Sequence, residues 1–118
     1  MIINDSAVAV KSFDFATRIV KLYKYLSENK KEYVLSKQLL RSGTGIGANV
    51  SEGERAQSKA DFISKMSIAL KEANETDYWI RLLRRTGFLT ERQYQSLDRD
   101  LDEIIRLLVT ICKSAKTE

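Results

Sequence analysis

Apolar residues recur along most of the chain at steps of three and four positions, the spacing of one face of an α-helix. This pattern predicts four helices, at about residues 6–29, 32–54, 58–86 and 90–114. The stripes of the third and fourth helices are the most regular: Phe62, Met66, Ala69, Ala73, Thr76, Ile80 and Leu83, followed by Leu97, Leu101, Ile104, Leu108 and Ile111. No segment alternates with the two-residue period of a strand, so the chain is predicted to be all-α.

Residues at the predicted helix boundaries support this division. Ser58 with Asp61, and Thr90 with Gln93, have the form of capping boxes, which begin helices. Gly87 suits the left-handed residue that commonly follows the end of a helix. The links between helices are short, which favours antiparallel neighbours. The expected fold is therefore an up-down-up-down antiparallel four-helix bundle, with all 118 residues in one domain.

Composition narrows the classes of function. The chain has no proline, which favours long helices, and its net charge of +4 is compatible with a polyanionic partner. It has no histidine, so Ser–His and Cys–His dyads are excluded. Its one cysteine, Cys112, lies in an apolar run and is interpreted as a core residue that has no disulfide partner within the chain.

The distribution of apolar residues also bears on location. The first residues, MIINDSAVAVKSFDF, lack the basic start and long apolar core of a signal peptide. No stretch approaches the ~20 apolar residues that span a bilayer. The sequence therefore predicts a cytoplasmic protein without a membrane partner.

Glycine is concentrated in residues 41–54, RSGTGIGANVSEGE, which hold four of the five glycines of the chain. Gly43, Gly45 and Ala48 match the dinucleotide-binding pattern G-x-G-x-x-[G/A]. That pattern requires a preceding strand, whereas the residues before it have helical spacing. We therefore favour a helix with a bare side. Gly43 and Gly47, four positions apart, then permit close packing against another helix, in the bundle or in a second subunit.

A resemblance to a known family rests on two motifs. The four-helix bundle proteins of the 23S rRNA intervening-sequence family carry a core of the type R-S-x-x-S-I-x-A-N-x-x-E-G. The corresponding residues here are Arg41, Ser42, Ile46, Ala48, Asn49, Glu52 and Gly53. The family's later pattern I-A-x-x-E-x-x-E corresponds to Ile68, Ala69, Glu72 and Glu75, with Tyr78 and Trp79 after it. The segment KSFDFATRIVKLYKYL is also similar to the family's first helix.

The resemblance implies more about architecture than about activity. Proteins of this family are four-helix bundles that assemble as rings of five, and some are encoded inside inserted segments of ribosomal RNA genes. A distant relative, the accessory variability protein of diversity-generating retroelements, binds nucleic acid and a reverse transcriptase through a basic pentameric barrel. A homo-oligomer, with a pentamer favoured, is therefore expected here. Where family members commonly have serine, this chain has Gly45.

Polar residues on the second and third helices form the first set of candidates. Asn49, Glu52, Glu72 and Glu75 lie among apolar or small neighbours, so partial burial and bonded partners are expected. The expected partners are one another, a helix N-terminus, or Arg41, Gln38 and Tyr78. Carboxylates on two helices also suggest a metal-binding bundle, but di-iron bundles use histidine. A structural polar network is preferred, and no cofactor or metal is predicted.

Basic side chains form the second set. The candidates for contact with RNA or DNA are Lys21, Lys24, Lys37, Arg41, Arg55, Lys59, Arg81, Arg84 and Arg85. Trp79 and the tyrosines could stack on bases, although helical spacing favours a core or interface role for them. The leading hypothesis is a non-enzymatic oligomer that binds RNA or DNA, together with a protein partner. The alternatives are a protein–protein scaffold without nucleic-acid affinity and a carboxylate metal-binding bundle.

Overall fold

The computed structural model describes residues 6–117 and shows four helices packed side by side. They are α1 (Ala7–Glu28), α2 (Leu35–Glu54), α3 (Lys59–Arg85) and α4 (Glu91–Thr117). No strand occurs within residues 6–117. Because short links join consecutive helices, each helix runs antiparallel to the next. The predicted all-α, up-down-up-down bundle is confirmed.

The first helix begins after its N-cap Ser6, next to the predicted start at residue 6. Its hydroxyl accepts a hydrogen bond from the backbone N–H of Ala9 at 3.2 Å, which satisfies one of the free donors of the first turn. The same hydroxyl donates to the Glu54 carboxylate at 2.6 Å. The start of α1 is thereby held against the end of α2.

The second helix begins at Leu35, three residues later than the predicted start at 32. Glu32 lies before the helix, and its carboxylate accepts N–H bonds from Val34, Leu35 and Ser36 at 3.1, 2.9 and 2.7 Å. Because the Glu32 side chain caps the first turn of α2, Glu32 itself lies outside the helix. Lys31, just before it, has a left-handed φ of 56°, which also interrupts helical backbone.

The hydrogen bonds that Glu32 accepts lower the pKa of its carboxyl group. Burial of the Glu32 carboxyl would by itself raise its pKa, but the hydrogen bonds from the backbone N–H groups of Leu35, Ser36 and Val34 outweigh that effect. The pKa of Glu32 therefore lies below its ordinary value, because these donors stabilise the ionised form.

The turn between α3 and α4 has the expected local structure. Gly87 has φ +88°, and the N–H of Phe88 donates to the Leu83 carbonyl at 2.9 Å, the long bond of a Schellman motif. Thr90 and Gln93 form a reciprocal capping box, with N–H to side-chain distances of 2.9 and 3.1 Å. These local signals therefore act as the sequence predicts.

The fourth helix extends to Thr117, three residues beyond the predicted end at 114. Cys112 and Ala115 are both buried, so the apolar stripe continues for another turn and holds the helix in contact with the bundle. Burial of this face stabilises the last turn more than its polar residues favour fraying.

The core is a single apolar cluster with a small polar inclusion. Its largest fully buried side chains are Phe15, Ile19, Leu26, Leu39, Ile46, Met66, Ile80, Leu83, Leu101, Ile104 and Leu108. Between α2 and α3, the hydroxyls of Ser42 and Thr76 lie 2.9 Å apart, and Thr76 Oγ1 is also 2.8 Å from the Glu72 carbonyl. These buried hydroxyls therefore have partners, as burial requires.

The helices are arranged so that α2 contacts α1 and α3, and α4 contacts α3 and α1. The contact between α1 and α4 is the smallest of these four. It follows that α1 and α3 occupy diagonal corners of the bundle, each with one side turned outward.

Candidate functional site: the Arg41 cluster and the basic end of the bundle

A group of polar side chains on the outer surface joins α2 to α3 through Arg41. Its guanidinium lies 3.4 Å from Glu72 Oε1 and forms an ion pair with Glu75 Oε2. The same Glu75 oxygen accepts a hydrogen bond from Trp79 Nε1 at 3.0 Å. Gln38 Oε1 lies 3.4 Å from Arg41. We call Arg41, Glu72, Glu75 and Trp79 the Arg41 cluster.

The two carboxylates of the Arg41 cluster are partly buried, whereas the arginine is not. The side chains of Glu72 and Glu75 are 21% and 33% exposed, and that of Arg41 is 52% exposed. Two carboxylates share one guanidinium, so the cluster carries about one net negative charge. Because Arg41 is half exposed, each ion pair stabilises the fold only modestly.

A glycine on α2 makes room for this arrangement. A Cβ placed on Gly45 would lie 3.3 Å from Cδ of Glu72, which is tighter than most side-chain contacts. The bare backbone at Gly45 therefore lets the Glu72 carboxylate lie flat against α2. A serine here, as is common in the family that the sequence resembles, would shift this side chain by a few tenths of an ångström.

Asn49 and Glu52 have contacts outside the Arg41 cluster. Asn49 Nδ2 donates to the Gly45 carbonyl of its own helix at 2.8 Å. Glu52 pairs with Lys65 at 3.2 Å and is 61% exposed. Within one chain, the structure thus brings Glu72 and Glu75 together and gives the other two separate partners. A common role for all four stays a prediction.

The glycine pair that the sequence singles out faces α1 of the same chain. A Cβ on Gly43 would lie 2.9 Å from two carbons of Ile19, and one on Gly47 would lie 3.2 Å from the backbone oxygen of Ser12. Residues 41–54 are helical throughout, without the strand that a dinucleotide-binding turn requires. The bare side of α2 thus packs closely against the Ile19 side chain and the Ser12 backbone of α1.

The antiparallel order gathers most of the basic candidates into one half of the bundle. The end of α1, the start of α2 and the end of α3 meet next to the α1–α2 loop. We call this region the basic end. Its candidates are Lys21, Lys24, Lys37, Arg41, Arg81, Arg84 and Arg85. Arg55 and Lys59 lie at the opposite end, beside the acidic residues Glu52, Glu54 and Asp61.

Some of the basic candidates already form an ion pair with an acidic side chain, and others do not. Arg81 pairs with Asp77 at 3.1 Å, and Arg84 pairs with Glu91 at 3.4 Å. Among residues 6–117, no ion pair involves Lys21, Lys24, Lys37, Arg55, Lys59 or Arg85. These six are exposed. Lys21, Lys24, Lys37 and Arg85 are therefore the cations of the basic end that are most accessible to a phosphate.

A tyrosine and a carboxyl group between α3 and α4 adjoin this region. The Arg84 guanidinium lies 3.9 Å from the centre of the Tyr94 ring. Burial, and then the nearby Asp98, raises the pKa of the Tyr94 hydroxyl. Burial, and then repulsion from Asp77 and Asp102, raises the pKa of Asp98. Arg84 thus serves local structure and is less available to a ligand than Arg85.

Two ion pairs between α1 and α4 are absent from the candidates that the sequence supplies. Lys11 pairs with Glu103 at 3.0 Å. Arg18 pairs with Asp100 at 2.6 Å and also donates to the side chain and carbonyl of Ser96. Lys11 and Arg18 are seven positions apart, as are their partners Glu103 and Ser96 on the antiparallel helix α4. This matching separation could have predicted the two contacts, but only if α1 and α4 were already known to be neighbours.

No group of three or more histidine, cysteine, aspartate or glutamate side chains that could hold a metal ion occurs in the described part of the chain. The Arg41 cluster, with its guanidinium between the two carboxylates, is a salt-bridged arrangement and not an open ligand set. None of the helices described is both long and apolar enough to cross a membrane.

The fold and this site define a compact four-helix bundle with a glycine-rich second helix and a polar α2–α3 surface. The family model for the 23S rRNA-intervening sequence protein matches residues 4–110. The chain belongs to that family. Its distant similarity to the accessory variability protein of diversity-generating retroelements stays a prediction.

A solved structure agrees with this assignment. The chain is 59% identical to a protein of unknown function from the S23 ribosomal protein family of Bacteroides thetaiotaomicron VPI-5482, whose crystal structure it matches with a TM-score of 0.89. The match covers 91% of this chain and 99% of that one. No curated protein matches the chain.

Proposed function

We propose that the protein is a cytoplasmic, non-enzymatic, oligomeric bundle that binds RNA or DNA through its basic end. The observation that carries the proposal is that Lys21, Lys24, Lys37 and Arg85 lie toward the same end of the bundle, exposed and without acidic partners among the described residues. Exposed cations of this kind bind phosphate groups and release the counterions around them. The ribosomal RNA context in the family's description supports the same class of ligand.

Such binding would depend on backbone phosphates more than on base sequence. The outer surfaces of the helices carry the cations, which can contact backbone phosphates. Phosphate contacts position a protein on nucleic acid but carry little sequence information. Specificity would then come from RNA shape or from a protein partner.

Assembly would strengthen the interaction. The ring of five that the family resemblance implies would place five basic ends on one particle and raise its net charge to about +20, from +4 per chain. Several weak phosphate-binding surfaces on one particle bind a long polyanion far more tightly than one does.

A salt titration tests the proposal. Binding of a ribosomal RNA fragment, and of a generic duplex, is measured from about 50 mM salt upward, where electrostatic binding weakens steeply. Lys24→Ala with Lys37→Ala should weaken binding and lower the salt slope by about one for each lost phosphate contact. The matched control is Lys113→Ala with Lys116→Ala, which removes the same charge from exposed residues at the opposite end.

Two results would contradict the proposal. Absence of binding to either nucleic acid at about 50 mM salt would exclude an electrostatic nucleic-acid function. An equal loss of affinity in the test and control pairs would show that net charge, and not the basic end, determines binding.

A protein–protein scaffold is the second candidate, and one observation favours it. Phe13, on the outer side of α1, is 72% exposed, with Val10 at 47% one turn before it. Exposed apolar side chains that are grouped together commonly mark protein interfaces. Light scattering combined with the ratio of absorbance at 260 and 280 nm separates the candidates, since a scaffold would purify as an oligomer that is free of nucleic acid.

A further inference from the structure

The outer face of α1 carries an apolar stripe that nothing in the described chain covers. Val10, Phe13 and Val20 are 47%, 72% and 38% exposed, and Thr17 lies between them at helical spacing. We call these four residues the α1 stripe. They lie opposite the buried face formed by residues such as Phe15 and Ile19, so they cannot join the core of their own chain.

The outer face of α3 has residues at the same spacing. Ile68, Lys71, Glu75 and Tyr78 are separated by three, four and three positions, as are the residues of the α1 stripe. Ile68 and Tyr78 are 38% and 51% exposed. We call these four residues the α3 face. Since α1 and α3 occupy diagonal corners, the two surfaces point in different directions and cannot meet within one chain.

The two surfaces also lie at matching heights along the bundle. Ser12 contacts Gly47, and Ile19 contacts Gly43. From the other side of α2, Glu72 contacts Gly45, and Thr76 is bonded to Ser42. At about 1.5 Å per residue, these contacts place Val10 near the height of Ile68 and Val20 near that of Tyr78.

We propose that the α1 stripe of one copy docks on the α3 face of a second copy. This inference rests on the ring assembly under the proposed function and specifies the surfaces that would form it. A contact between two different surfaces is heterologous, and it closes into a ring only when the rotation between copies closes and successive copies do not climb along the axis. Surfaces at equal height along the bundle meet the second of these conditions.

Side-chain chemistry is complementary across this contact. Val10 and Ile68 meet as apolar partners, as do Val20 and Tyr78, and Phe13 lies at the height of the aliphatic stem of Lys71. The Arg41 cluster has about one net negative charge, while Lys21 has no acidic partner among residues 6–117. Lys21 lies within about one helical turn in height of Glu75, so it can approach that carboxylate in the next copy.

Cross-linking tests the pairing directly. In a Cys112→Ala background, a chain with both Val10→Cys and Ile68→Cys is treated with a short thiol cross-linker. We expect a ladder of linked chains from this double variant and none from either single variant. Val10→Cys with Tyr78→Cys is the off-register control, since those positions differ in height by about 15 Å. An equal ladder from the control, or linked dimers from Phe13→Cys alone, would overturn the proposed contact.

Light scattering distinguishes a failure of the proposed α1–α3 contact from a failure of ring assembly as a whole. Phe13→Lys should convert the oligomer into folded monomers, because the side chain is exposed in the single chain and its replacement leaves the core intact. Val34→Lys is the matched control, since Val34 is 70% exposed but lies outside the α1 stripe. An oligomer that persists in Phe13→Lys would refute the α1–α3 contact and leave ring assembly standing. A parent protein that is itself monomeric would refute both.

Discussion

The two contacts that α1 makes with its neighbours are built in opposite ways. Against α2, Ile19 and Ser12 meet the bare backbone of Gly43 and Gly47. Against α4, the contact is smaller and is bridged by long charged side chains, among them Arg18, which is 2.6 Å from Asp100. The first contact depends on the absence of side chains, and the second depends on their length.

This difference determines how each contact responds to change. At Gly47 the neighbour is the Ser12 backbone, which has no flexible atoms that could move aside, so an added side chain there must displace a helix. A lysine or arginine that bridges two helices adjusts its rotamer, and its charged end stays in water. The α1–α2 contact should therefore tolerate substitution poorly, and the α1–α4 contact should tolerate it well.

The largest effect is expected at the glycine contact. Gly47→Leu places its side chain against the backbone oxygen of Ser12, where a Cβ alone would be 3.2 Å away. Overpacking of this kind costs about 1–3 kcal/mol or more in the free energy of unfolding, measured by urea denaturation. Gly45→Ala is the control, because it meets only the movable end of Glu72 and gains helix propensity. If Gly47→Leu unfolds at the urea concentration of the parent, the bare side of α2 is not a packing device.

A smaller effect is expected at the loop that leads into this contact. Glu32→Gln removes the ionised acceptor of three N–H bonds and should cost about 1 kcal/mol at pH 7. Because folding lowers the pKa of Glu32, its stabilising effect is complete above the unfolded pKa of about 4.3 and is lost as the pH falls through the lower folded value.

The prediction is checked by measuring how the free energy of unfolding depends on pH. Unfolding free energies of the parent and Glu32→Gln should converge as the pH falls below about 4 and diverge to a plateau near neutrality. A difference that stays constant down to about pH 2 would mean that the ionised carboxylate does not cap α2.

The α1–α4 contact should respond less than the glycine contact. Arg18→Ala should cost only about 0.5–1 kcal/mol, because both partners are more than a third exposed and solvent screens their attraction. A double-mutant cycle with Asp100→Ala isolates the pair and should give a coupling energy of about 0.5 kcal/mol. A cost for Arg18→Ala equal to that of Gly47→Leu would remove the distinction between the two contacts.

The smallest effect is expected at Lys31, which lies beside Glu32 in the loop between α1 and α2. Its left-handed φ of 56° costs about 1 kcal/mol for a residue with a Cβ, and Lys31→Gly relieves that strain. Glycine also gives the unfolded chain more freedom, which offsets most of the gain. We expect a net increase in stability of no more than about 0.5 kcal/mol by thermal denaturation. A loss of more than about 1 kcal/mol would show that the lysine side chain itself holds the loop.

Part of the site follows from local sequence, and part depends on which helices become neighbours. Partial burial is expected for Glu72 and Glu75 because they interrupt an apolar face, and the structure shows it. Arg41 is one of several partners that the sequence allows, and only the α2–α3 packing selects it. Glu52 lies close to the end of α2, where Lys65, and not Glu72, is within reach of its carboxylate.

The sequence by itself determines the four helices, their buried stripes and the turn at Gly87, because these depend on residues within a few positions of one another. Tertiary structure alone decides that Gly43 meets Ile19, that Arg18 meets Asp100, and that the basic residues of three helices share one end. Each of these depends on the axial register between helices that are distant in sequence. That register is set by the packing of the whole core, and periodicity within one helix does not contain it.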